Sequence, residues 1–138
     1  MKRVASLLLA FIGTQMAYSE PIWVQVIENE FESIYYDKTT VKFHGPLVIV
    51  DEVTNRHKPS SALPTVSFLA KVEYDCLIRE AEVIRIISTT EHFGKGAVVR
   101  DSAENSRWRG AVMRALSEGD KSDWLIRTLC ALSSIEQL

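Results

Sequence analysis

At 138 residues, 46% hydrophobic and 25% charged, the chain has the size and balance of a single folded domain with a modest core. Its net charge of −2 at pH 7 argues against bulk nucleic-acid binding, which needs a strongly cationic surface. His44, His57 and His92 stand far apart, and no histidine pair has a spacing that would put both rings on one face as metal ligands.

The N-terminus reads as an address. Lys2 and Arg3 precede a mostly apolar run over residues 4–14, and Ala17-Tyr18-Ser19 places small residues at −3 and −1 of a cut after Ser19. Charge, apolar run and small-x-small site form the secretory signal pattern. The run falls short of the roughly 20 apolar residues of a bilayer helix; the competing reading is an anchor that stays uncut. The expectation is a signal peptide over 1–19 and one domain over 20–138, periplasmic or secreted. Losing Lys2 and Arg3 leaves 14 basic residues against 18 acidic ones, a net charge of −4. No cysteine near the cut offers a lipid-anchor site. Two cysteines, Cys76 and Cys130, allow one intramolecular pairing, and in an oxidising compartment they are expected to form a disulfide rather than two buried free thiols.

Along the mature chain, residues 22–28 and 31–37 are rich in β-branched and aromatic side chains, with a turn at Asn29-Glu30 between them, which suggests a hairpin. Residues 39–43 extend it. Gly45-Pro46 breaks the chain, and residues 47–53 read as the next strand. Residues 55–64, with two prolines, form the clearest loop. The alternation over 66–76 puts Val66, Phe68, Ala70, Val72, Tyr74 and Cys76 on one face and Ser67, Leu69, Lys71, Glu73 and Asp75 on the other, the signature of a half-buried antiparallel strand. Residues 77–89 continue in strand style, with a helix as the alternative for the front half. Gly94 and Gly96 mark a turn, 101–106 a polar loop, and 107–116 a last strand, with helix as the competing reading. At the end Leu125, Ile126, Leu129, Cys130 and Leu132 make one apolar stripe at helical spacing, with Asp120 or Ser122 as its cap. The plan is α+β: a single antiparallel β-sheet of about six strands with a C-terminal α-helix packed on it and tied by one disulfide.

Several features in order resemble the surface-adhesin protein E-like domains of Gram-negative bacteria. They are Ile22-Trp23-Val24, Tyr35-Tyr36-Asp37 leading into Thr40-Val41, Tyr74-Asp75-Cys76 followed by Arg79, then Trp108, Ser117 and Leu129-Cys130. The resemblance covers most of residues 21–131. It implies an antiparallel sheet with a C-terminal helix tied by this disulfide, a surface or periplasmic location, and adhesion to host extracellular proteins. Two departures stand out: Leu47-Val48-Ile49-Val50 where the family often has a Trp, and no lipid-acceptor cysteine.

The residues suggest no catalysis. Nucleophilic chemistry needs a nucleophile and base held together, and no such set can be named. Gly94-Lys95-Gly96 is too short to cradle a phosphate, and Glu80 with Glu82 reads as a solvated edge. No cofactor is implied. Two candidate partner-binding stretches remain. One is Arg107 and Arg109 flanking Trp108, for which the plainer reading is a core Trp beneath a charged outer face. The other is Arg56 and Lys58 beside His57 in the Pro-rich loop, for which the plainer reading is a flexible connector. The expected function is a non-catalytic exported binding module, adhesin-like, for a host extracellular-matrix or other envelope protein. The alternative is a soluble periplasmic factor for a small ligand or another envelope protein.

Overall fold

The computed structural model describes residues 19–59, 62–103 and 121–136. Among them, β1 (Trp23–Glu28), β2 (Glu32–Asp37), β3 (Lys42–His44), β4 (Leu47–Arg56), β5 (Ser67–Asp75), β6 (Glu80–Thr89) and β7 (Val98–Asp101) form one sheet. Every pairing is antiparallel, in the order β1-β2-β4-β5-β6-β7, with β3 also on β4. A C-terminal helix spans Lys121–Glu136. The α+β plan read from the sequence is the fold observed, with seven strands in place of about six.

One of the two strands beyond those expected, β3, comes from an interruption. β2 pairs with residues 52–56 of β4 and β3 with residues 47–49, so both lie along one edge of the same strand. Between them a 3-10 turn, Lys38–Thr40, is set by Asp37. One oxygen of its carboxylate accepts from the Thr39 N–H (2.9 Å), the Thr39 hydroxyl (2.7 Å) and the Ile22 N–H (3.0 Å). Tyr-Tyr-Asp therefore ends β2 because its last residue satisfies the turn that follows.

β4 and β5 carry the core. Val48 pairs with Tyr74 and Val50 with Val72, and all four side chains point to the same buried face. Ile34 and Tyr36 of β2 and Val83 and Ile86 of β6 continue that face. Leu125, Ile126 and Leu129 of the helix complete the cluster, with Leu129 fully buried. The 3.6-residue stripe is thus laid on the period-2 face of the sheet. Cys76 follows β5 directly and is bonded to Cys130, with a Cα–Cα separation of 5.6 Å. Trp124 and Arg127 lie on the exposed side of the helix, where Arg127 pairs with Asp123 at 2.8 Å.

The structure corrects several local expectations. Residues 76–79 are a turn, not strand: the Asp75 carboxylate accepts from the Leu77 N–H (2.9 Å) and the Ile78 N–H (3.3 Å), and Arg79 takes φ 57°. Leu77 and Ile78 consequently sit exposed at the tip. Asn55 and Arg56 belong to β4, so the loop begins at His57. Ser67, assigned to the outer face, is fully buried because its hydroxyl accepts from the Gly94 N–H (3.0 Å) of the loop packed over it. β7 was not anticipated. Ser122 falls inside the first turn of the helix, while its other candidate cap, Asp120, and the segment 107–116 lie outside the described residues.

Candidate functional site

One end of the sheet gathers Arg56 and Lys58, two of the charged residues picked out in the sequence. In the β1–β2 turn the Asn29 carboxamide oxygen accepts from the Phe31 N–H (2.8 Å) and the Glu32 N–H (3.0 Å). This side-chain-to-backbone turn projects Phe31 outward, leaving it 70% exposed. The end of β4 is locked onto this turn by His57. Its backbone N–H donates to the Phe31 carbonyl (2.9 Å), and its ring Nδ1 lies 3.1 Å from the Glu30 carbonyl. A carbonyl only accepts, so Nδ1 carries a proton, and Nε2 lies within hydrogen-bond distance of the Ser33 hydroxyl at 2.9 Å. His57 is thus a structural tie. His92 is another: its Nε2 donates to the Arg56 carbonyl (2.8 Å). The Arg56 guanidinium rests 5.2 Å from the centroid of the Phe68 ring, a cation–π contact that fixes its direction.

Glu30, Phe31, Glu32, Arg56 and Lys58 together line a shallow depression of about 350 Å³. The structure therefore brings Arg56 and Lys58 together and adds Phe31, which the sequence reading placed in a strand. The signal was present: an aromatic directly after an Asn-containing turn has no neighbour strand to cover it. Arg107 and Arg109 lie outside the described residues.

The face of the sheet opposite the helix holds a second, larger feature. Phe93, in the 3-10 turn His92–Gly94, packs against Trp23 (centroids 6.0 Å apart) and Tyr35 (5.0 Å). An open cleft of about 820 Å³ runs beside Trp23 and Phe93, past the Lys71–Asp51 ion pair (2.7 Å), to Thr39 and Thr40.

Beneath the helix side lies Glu52, buried beside Tyr74, whose hydroxyl donates to its carboxylate. Removal from water raises the Glu52 carboxyl from its ordinary value of 4.5 to about 7, and the same burial together with the Glu52 charge pushes the Tyr74 phenol well above its ordinary value. Among the described residues no group of three His, Cys, Asp or Glu side chains converges as a metal site.

A family model described as surface-adhesin protein E matches residues 23–131. The chain belongs to this family. The match begins on the first residue of β1 and runs one residue beyond Cys130, so it takes in the described sheet and both cysteines. No curated protein and no solved structure matches the chain. The residues that carried the resemblance to the surface-adhesin family have structural duties here: Tyr36 and Tyr74 are buried, Asp37 and Asp75 set turns, and Cys76 and Cys130 close the disulfide. Among the described residues no helix is long and apolar enough to cross a membrane.

Proposed function

We propose that the chain is an exported, non-catalytic binding module, adhesin-like, that engages a protein partner at the cell envelope. Family membership supports the adhesin-like role. The observation that carries the choice of surface is Phe31, a large apolar side chain 70% exposed on a turn pinned by hydrogen bonds with Asn29 and His57, with Arg56 and Lys58 at its side. An aromatic anchor next to an arginine has the composition of an interface hot spot. Because the turn is already fixed, docking on it loses little conformational entropy.

Immobilised host extracellular-matrix proteins serve as the probe. Phe31→Ala is expected to weaken capture by about tenfold or more, as loss of a hot spot worth roughly 2 kcal/mol would. Lys58→Glu is expected to slow association and alter its salt dependence. The pair Arg107→Glu and Arg109→Glu is tested in parallel. Capture unchanged by Phe31→Ala with the fold intact removes this end of the sheet from consideration.

A second reading, a soluble periplasmic factor for a small ligand or another envelope protein, is favoured by the Cys76–Cys130 disulfide, which suits the oxidising periplasm. Protease shaving of intact cells separates the two readings: an adhesin is digested, a periplasmic factor is shielded.

A further inference from the structure

The cleft on the face opposite the helix differs from the Phe31 end in position and in chemistry. Trp23 pairs with Asp37 at the opposite end of the β1–β2 hairpin from the Phe31 turn. The aromatic wall of the cleft is built at a cost. Phe93 takes φ 58° and ψ 35°, the left-handed region that a bulky side chain avoids. Such a residue persists only where its surroundings over-determine it, and it tends to mark a site of use. Here two buried side chains hold the loop down. The Asn55 oxygen accepts from the Phe93 N–H (2.8 Å), and the Ser67 hydroxyl accepts from the Gly94 N–H (3.0 Å). Tyr35 backs the Phe93 ring from the neighbouring strand.

The cleft is lined by the apolar Ile49 and Leu69 as well as by polar side chains, and its fixed charges cancel. Asp37 and Asp51 stand against Lys42 and Lys71. The Asp37 carboxylate is engaged with the Ile22 and Thr39 groups, whereas Asp51 and Lys71, bonded to each other, keep exposed donor and acceptor capacity. A balanced field gives no net attraction to an anion or a cation. Flat aromatic faces beside paired donors and acceptors suit a ligand that is uncharged, has one apolar face and carries many hydroxyls. The cleft's volume lies within the roughly 300–1,000 Å³ of small-molecule sites, and its open form admits a segment of a longer chain.

We propose that this cleft binds a neutral carbohydrate, a pyranose ring lying on Trp23 and Phe93 with its hydroxyls bonded to Asp51 and Lys71. The C–H groups on one face of such a ring carry slight positive charge and meet the negative face of the aromatic rings. The inference does not depend on the protein-partner reading, which uses other residues.

The test is a titration of the ¹⁵N-labelled, disulfide-closed protein with chitotetraose and with cellotetraose, to about 10 mM, a ceiling set by the millimolar affinity of weak sites. Expected are saturable shifts at the Trp23 indole N–H and at the Phe93 and Lys71 amides for at least one oligosaccharide. Phe93→Ala and Lys71→Met are each expected to weaken binding by about fivefold or more, roughly 1 kcal/mol. Phe31→Ala is expected to leave it unchanged. Lys71 is exposed, so its variant keeps the fold and decides the matter where Phe93→Ala or Trp23→Ala does not fold. No saturable shift with either sugar overturns the inference. So do an affinity left unchanged by Lys71→Met and shifts that map to the Phe31 turn, and so does a cleft that responds to an aromatic peptide and to neither sugar.

Discussion

Asp51 and Glu52 are adjacent on β4, so the pleat sends them to opposite faces of the sheet. Asp51 meets Lys71 in the open, while Glu52 is carried into the core beside Tyr74. Its carboxyl is raised to about 7, so the folded chain holds a proton that the unfolded chain releases near 4.5. The stability this group contributes is full below about pH 4.5 and is lost as pH rises through about 7, a change of roughly 3 kcal/mol. Glu52→Gln keeps an acceptor for the Tyr74 hydroxyl and removes the titration. Urea unfolding between pH 4.5 and about 7.5 is expected to show stability falling with pH in the parent and a flatter profile in the variant. Asp101 acts in a different window: its hydrogen bonds to Arg85 and to the Ala103 N–H hold it below its ordinary 3.8, so its contribution is lost only under stronger acid. A second prediction concerns backbone shape. Gly96 has φ 77°, and a Cβ there would lie 2.5 Å from the Thr90 hydroxyl oxygen. Gly96→Ala is expected to cost about 1–3 kcal/mol, read as a lower urea midpoint at unchanged slope.

The helix meets the sheet through a few apolar side chains and one covalent bond. Cys76 and Cys130 are 54 residues apart, and closing a loop of that length restricts the unfolded chain by roughly 4 kcal/mol in the chain-entropy model. Replacing both by serine is expected to lower the melting temperature markedly; equal melting of the serine variant and the parent would contradict the staple. This tether was legible in the sequence because the period-2 face of β5 runs inward to Cys76 and the helical stripe includes Cys130, so two different periodicities converge on one contact. Other features were hidden for specific reasons. The Leu77-Ile78 pair reads as strand by composition, yet the carboxylate of Asp75 diverts the backbone into a turn. Ser67 reads as outward by alternation, yet a loop 27 residues later buries it through one hydrogen bond. Arg56 and Lys58 were legible as charged residues beside a loop. The aromatic that gives them meaning, Phe31, joins them only through the pairing of β2 with β4, a contact no local pattern announces.

At the scale of the whole molecule the two faces of the sheet have different work. One is sealed by the C-terminal helix and supplies the stability. The other carries the strained aromatic loop and the charge-balanced cleft, while the hairpin end presents Phe31. A domain of this size gains from a covalent staple, and the staple forms only where thiols are oxidised. The bonded cysteines thus link the fold to the expectation that the protein works outside the cytoplasm. Cells are quenched in acid, free thiols are capped with an alkylating label, and the protein is weighed intact before and after reduction. The expected result is a chain with neither Cys76 nor Cys130 labelled, lighter than its reduced form by the hydrogens of both thiols. Recovery of the chain with both cysteines labelled would contradict the tethered sheet and the envelope role together.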